Sequence, residues 1–284
     1  MEQQASNLLG EKYTFEVNFL QLVPYATYEW PKDHPGAVAK GYYEGFIYQL
    51  ERFLNSMGED GKKSLNEAVT TKKVTLEIDE SGKFSYCGCD IKDGVFRILS
   101  AENYLGTNVS DACEYIVKAV EAAEEAKGGG GLSVSAKANV KATVEKEFPD
   151  LEKQFAEILG YKVTLDANLE ANFAKLKGSS FNESYFGTAT LEYYKGFIYQ
   201  LEYLKFKGDE MMQEAFQEAD SKATIRLEVV DELQNGAYYN DVLFKDGICA
   251  IQVSHLVPNA DPKTVPNYWY TNTGDVGSKV VDRL

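Results

Sequence analysis

Two thiols stand two residues apart in Cys87-Gly88-Cys89, and on a β-strand positions i and i+2 point to one face. With Cys113 or Cys249 they would make a soft, thiolate-type metal site. The C-x2-C pairs of structural zinc modules are absent, however, and the second half of the chain has Asn240 and Val242 at the corresponding places. The four cysteines therefore read as buried free thiols that pack as small hydrophobes. The two histidines, His34 and His255, fall at unrelated places in the two halves, so a triad or a histidine metal site would need single, unduplicated residues. Tyr48, Glu51, Tyr199 and Glu202 are the remaining chemistry: two helices facing across a cleft would let them act as general acids and bases. Carboxylates on a solvated helix face are the plainer reading. Dinucleotide, P-loop, HExxH, GxSxG and EF-hand patterns are all missing, so no cofactor and no metal are expected.

Aromatic residues are the second signal. Tyr25, Tyr28 and Trp30 precede one helix, and Phe181, Tyr185 and Phe186 precede another. Exposed loop aromatics form lids, ligand contacts or partner contacts, unless they fold back onto the core. Helix tyrosines Tyr43, Tyr48, Tyr194 and Tyr199 complete the candidate ligand-binding set, which is Tyr25, Tyr28, Trp30, Tyr43, Tyr48, Phe181, Tyr185, Tyr194 and Tyr199.

The elements that position these residues occur twice. Tyr42-Tyr43-Glu44-Gly45-Phe46-Ile47-Tyr48-Gln49-Leu50-Glu51 returns as Tyr193-Tyr194-Lys195-Gly196-Phe197-Ile198-Tyr199-Gln200-Leu201-Glu202. Upstream, Leu9-Gly10 is echoed by Leu159-Gly160; downstream, Lys92-Asp93-Gly94 is echoed by Lys245-Asp246-Gly247. A repeat this long is a duplicated domain rather than a solenoid. The boundaries read as 1–127 for copy one, 128–149 for a Gly-rich junction with a long alternating strand, and 150–284 for copy two.

Within copy one, Tyr13, Phe15, Val17 and Phe19 alternate with polar residues as a half-buried strand. A helix follows from Ala37 to about Ser56, its apolar stripe being Tyr43, Ile47, Leu50 and Leu54. Strands are expected at 74–78, 84–91 and 95–99, the last two joined by an Asp-Gly turn. Copy two repeats the scheme, with strands at 163–173, 225–229, 237–244 and 248–253, a turn at Asn235-Gly236 and a helix from about Thr190. Residues 111–127 read as a helix, 132–144 as a strand, and Pro149 as the opening of a short helix to Leu159. Ala136, Ala138, Ala142, Ala167 and Ala171 on expected inward faces imply close helix packing or room for a ligand. Gly45 and Gly196, each mid-helix where Gly costs about 1 kcal/mol, imply a close backbone neighbour. Matching at Tyr48, Gln49 and Glu51 as well implies that a second helix face is engaged, as it would be where the two copies meet about a pseudo-dyad.

The fold class is therefore α+β: tandem duplicated domains, each an antiparallel sheet packed on one main helix, arranged as an intramolecular pseudo-dimer. The strand–helix–strand–strand order is similar to that of duplicated effector-binding modules such as the SOUL and GyrI-like families, a likeness of element order that no motif extends. The 29 basic against 44 acidic residues leave a net charge of −15, a field that repels nucleic acid and anionic lipid. The N-terminal residues lack a signal-peptide pattern and no stretch is apolar enough to insert in a membrane, so a cytoplasmic location is expected. The expected function is a non-catalytic soluble binding protein, holding a small apolar or aromatic ligand in a cavity within or between the copies. The alternatives are a structural or self-assembling protein with protein partners, and a carboxylate/tyrosine enzyme.

Overall fold

The computed structural model describes residues 1–176, 184–234, 237, 239–254 and 273–284. The chain divides into two units, Met1–Val134 and Ser135–Leu284. In unit 1, helix α1 (Glu2–Leu9) leads to strand β1 (Thr14–Val17), short helices α2 (Phe19–Leu22) and α3 (Glu29–Asp33), and the long α4 (Pro35–Ala68). Strands β2 (Lys73–Asp79), β3 (Cys87–Lys92) and β4 (Val95–Ala101) follow, then α5 (Ile116–Ala126). Unit 2 holds most of α6 (Val134–Ala142), then α7 (Val144–Leu159), β5 (Thr164–Asp166), α8 (Leu169–Leu176), α9 (Phe186–Tyr203) and α10 (Glu210–Ala219). It ends with β6 (Thr224–Val230), β7 (Asn240–Lys245) and β8 (Ile248–Ser254).

Both sheets have four strands in one order, β1-β2-β4-β3 and β5-β6-β8-β7. They are mixed rather than antiparallel. β1 runs parallel to β2 and β2 to β4, and only the β3–β4 hairpin is antiparallel; unit 2 repeats this pairing. The parallel pairing has a simple cause. The helix after the first strand carries the chain back to its starting end, so the next strand must enter in the same direction. The Asp-Gly hairpin turns are as expected, with positive φ at Asp93 (52°) and Gly94 (74°) and at Asp246 (54°) and Gly247 (76°).

The helical stripes form the core. In unit 1, Tyr43, Phe46, Ile47, Leu50 and Phe53 are buried with Val74, Leu76, Phe96 and Ile98, and the Phe46 and Phe96 rings lie 4.9 Å apart. In unit 2, Phe216 on α10 bridges Phe197 and Phe244, at 6.3 and 5.1 Å. The repeated mid-helix glycines do admit backbone. A Cβ at Gly45 would strike the Val109 carbonyl oxygen, and one at Gly196 the Thr273 carbonyl oxygen. One turn on, Gln49 donates to the Ser110 carbonyl at 3.0 Å, and Gln200 donates to the Gly274 carbonyl. The first strands share a device too. Glu2 accepts from the Phe15 amide at 2.7 Å and Glu152 from the Leu165 amide at 3.1 Å, which occupies a donor on each edge strand.

Several boundaries differ from expectation. Residues 134–142 form a helix, not a strand. Buried Ala136, Val140 and Val144 lie four apart, a spacing that serves helix and strand alike, and alanine favours the helix. Ala142 and Ala171 are exposed, so the small-residue faces enclose no cavity there. The 163–173 strand stops at Asp166, whose carboxylate accepts from the Asn168 amide, and α8 begins at Leu169. Pro149 lies inside α7, which starts at Val144. Helix α4 continues past Ser56 through a break at Gly58 (φ 60°, ψ −150°). The Asn235-Gly236 turn lies outside the described residues.

Candidate functional site

Helix α4 and its neighbours cover one face of the unit 1 sheet. On the opposite face, alternation along each strand places a row of polar side chains in register. Glu16 on β1 stands beside Thr75 on β2, then Arg97 on β4, then Asp90 on β3. These groups hold one another. Arg97 makes a two-pronged contact with Asp90, Nε at 2.8 Å and Nη2 at 2.6 Å, and reaches Glu77 at 3.4 Å. Asp90, hydrogen-bonded to it, holds the guanidinium above its ordinary value. The Thr75 hydroxyl donates to Glu77 at 2.7 Å, and Lys73 pairs with Glu16 at 2.7 Å. A fork of this kind fixes the geometry of a charge as well as its sign.

Above the row runs a groove of about 1080 Å³, at the carboxyl ends of β1 and β2. Its floor includes Glu16, Thr75, Glu77, Arg97 and Leu99, and one wall is Leu20, Leu22, Pro24 and Tyr25. The far rim is shaped by Asp79. Burial alone would raise its carboxyl, but the Ser81 hydroxyl (2.5 Å), the Phe84 amide (2.8 Å) and the Ser81 amide (3.1 Å) hold it below the usual carboxylate range.

Unit 2 treats the same strand edge differently. Register places Leu227–Val229 of β6 where Leu76–Ile78 stand in β2. There the buried Asn172 of α8 donates to the Leu227 carbonyl at 2.8 Å and accepts from the Val229 amide at 2.8 Å. A side-chain amide thus fills the edge that borders the groove in unit 1.

The nine sequence-derived residues are divided between the two units and differ in their surroundings. Tyr25 lines the groove. Tyr28 and Trp30 are exposed beyond its wall. Tyr43 and Tyr194 are buried, and their hydroxyls donate at 2.7 Å to the carbonyls of Glu16 and Asp166, tying each main helix to its first strand. Burial pushes both phenols well above their ordinary value. Tyr48 and Tyr199 are exposed on the helices, as is Tyr185 at the start of α9. Phe181 lies outside the described residues. Of the acid-and-tyrosine set, Glu51 accepts from Gln4 at 3.2 Å, Tyr48 lies under the Arg52 guanidinium at 5.9 Å, and Glu202 is exposed.

The cysteines behave as packed thiols. Cys89, Cys113 and Cys249 are buried, and burial pushes the Cys87 thiol up to about 11, with Asp111 adding to it. Among the described residues, no three His, Cys, Asp or Glu side chains are grouped as metal ligands. No described helix is long and apolar enough to cross a membrane.

Sequence reasoning missed Glu77, Asp90 and Arg97. Their signal was present as charges on the polar phase of alternating strands, Glu77 in step with Lys73 and Thr75 on β2 and Arg97 in step with Val95 and Leu99 on β4. It also missed a further echo, Asn108-Val109-Ser110-Asp111 against Asn272-Thr273-Gly274-Asp275, which supplies the carbonyls that meet the two Gly/Gln pairs. Comparison with protein families, with curated proteins and with solved structures returns no match for this chain.

Proposed function

We propose that the chain is a non-catalytic binding protein built by duplication, whose first unit holds a small ligand with an apolar or aromatic face. The groove over the unit 1 sheet carries this reading, because it joins an apolar wall to a floor whose charges are already paired. Pockets that select small molecules combine those two features, apolar area for affinity and a few fixed polar groups for orientation. The paired floor favours a neutral ligand face against it, while Glu80 and Lys92, which also line the groove and have no ion-pair partner among the described residues, bring one charge of each sign. Duplication is supported by the shared strand order and by the repeated Gly/Gln contact. Asn172 fills the corresponding edge in unit 2, so binding is assigned to unit 1 alone.

The test uses 1-aminoanthracene, a neutral aromatic probe whose fluorescence rises in apolar surroundings. Saturable binding of one probe per chain is expected, abolished by Thr75→Trp, which fills the floor, and unchanged by Tyr199→Ala. Absence of saturable binding, or binding indifferent to Thr75→Trp, would overturn the assignment.

A further inference from the structure

Four exposed aromatic residues stand on segments that contact one another near the groove wall. The Tyr86 and Tyr104 rings meet edge to face at 4.9 Å. The Thr27 hydroxyl, beside Tyr28, donates to the Asn103 carbonyl at 3.0 Å, which docks the segment before α3 onto the segment after β4. Trp30 lies against Gly106, where an added Cβ would come within 3.0 Å of its ring. Yet these residues remain 57% (Tyr28), 48% (Trp30), 46% (Tyr86) and 38% (Tyr104) exposed. Large aromatics clustered at a surface mark an interaction site more often than a packing accident.

The charges beside them differ from those in the groove. Glu29, Asp33 and Glu102 are exposed and have no ion-pair partner among the described residues, and the cations nearby in sequence are Lys32 and Lys83, the latter set over the Phe84 ring. Unpaired carboxylates next to free aromatic faces complement a cation that is also flat. Arginine meets both demands, since its guanidinium stacks on rings and forks onto carboxylates, whereas an ammonium group is compact and strongly hydrated. A second copy of the chain is disfavoured as the occupant, because it would bring the same carboxylates to the contact. Phosphate-bearing partners are repelled for the same reason.

We propose that the surface formed by Tyr28, Trp30, Tyr86 and Tyr104 is a docking site for an extended, arginine-bearing segment of a partner protein. This does not rest on the groove reading, and either stands if the other fails. The experiment is fluorescence anisotropy on the full chain, using a labelled, end-capped peptide of alternating Arg and Gly and its Lys counterpart. The Arg peptide is expected to bind about tenfold tighter than the Lys peptide. Trp30→Ala with Tyr104→Ala should remove that advantage while leaving circular dichroism and the melting temperature in place, and Trp30→Phe should retain most of it. Glu29→Gln with Glu102→Gln should weaken both peptides. The proposal is overturned if neither peptide binds or if Arg and Lys bind alike. An Arg advantage that survives the aromatic substitutions would overturn it too, as would concentration-dependent dimerisation that those same substitutions abolish.

Discussion

Asp79 and Asp220 are both buried aspartates, and their surroundings push them in opposite directions. Burial acts to raise Asp79, but the Ser81 hydroxyl and backbone amides that donate to it outweigh burial and lower its carboxyl. Asp220 accepts from the Thr224 and Cys249 amides and the Tyr161 hydroxyl, yet burial prevails and raises it. A lowered folded-state value contributes stability that is present above the unfolded value of about 3.9 and lost as pH falls through the folded one. A raised value works the other way, its contribution being complete below about pH 3.9 and lost as pH rises through the folded value. Asp79→Asn should therefore cost about 1–3 kcal/mol at neutral pH and flatten the acid limb of the stability curve. Asp220→Asn should instead flatten the decline on the rising side. Melting temperatures of both variants from pH 3 to 8, measured against the parent, give the two slopes. Parallel curves for all three proteins would refute the assignment.

Helix α4 shows why a repeated glycine needs a tertiary explanation. Alanine is the better helix former by about 1 kcal/mol, so propensity alone predicts that Gly45→Ala stabilises. Its Cβ would meet the Val109 carbonyl oxygen, a backbone atom that cannot swing aside, and overpacking of that kind costs about 1–3 kcal/mol. Net destabilisation is expected at Gly45 and again at Gly196, where the Thr273 carbonyl stands in the way. Gly36, on the same helix with open space around it, is the control, and Gly36→Ala should be neutral or stabilising by up to about 1 kcal/mol. Urea denaturation of the three variants decides the sign, and stabilisation at all three positions would refute the contact. The same geometry explains much of the helix matching. Gln49 and Gln200 each donate to a backbone carbonyl, whereas Tyr48 and Tyr199 are exposed on the solvent side.

Across the whole molecule, charge sets the long-range energetics. With a net charge of −15, carboxylates repel one another at long range, and ion pairs such as Lys73–Glu16 offset only part of that. Raising sodium chloride from 10 to 150 mM shortens the screening length from roughly 30 to 8 Å. The melting temperature should therefore rise with salt, as calorimetry at fixed pH would register. A fall would mean that attractive surface pairs outweigh the net repulsion.

The residue pattern by itself determined the double scheme, the two buried helical stripes, the Asp-Gly hairpins and the close approach at Gly45 and Gly196. Those features are local, or are forced by a residue with one physical use. It misread strand direction and the 134–142 helix. Period-2 and period-4 burial share the spacing of Ala136, Val140 and Val144, and nothing local says which end of a sheet a strand enters. The groove was visible only in Tyr25. Its floor depends on pairing Glu16, Thr75, Arg97 and Asp90 across four strands that lie up to 81 positions apart in the chain (97 minus 16). Such a row exists only once register is set, and register is a property of the folded sheet. The aromatic surface was legible as Tyr28 and Trp30. That Tyr86 and Tyr104 join them was decided by the Thr27–Asn103 contact, which folding alone brings together.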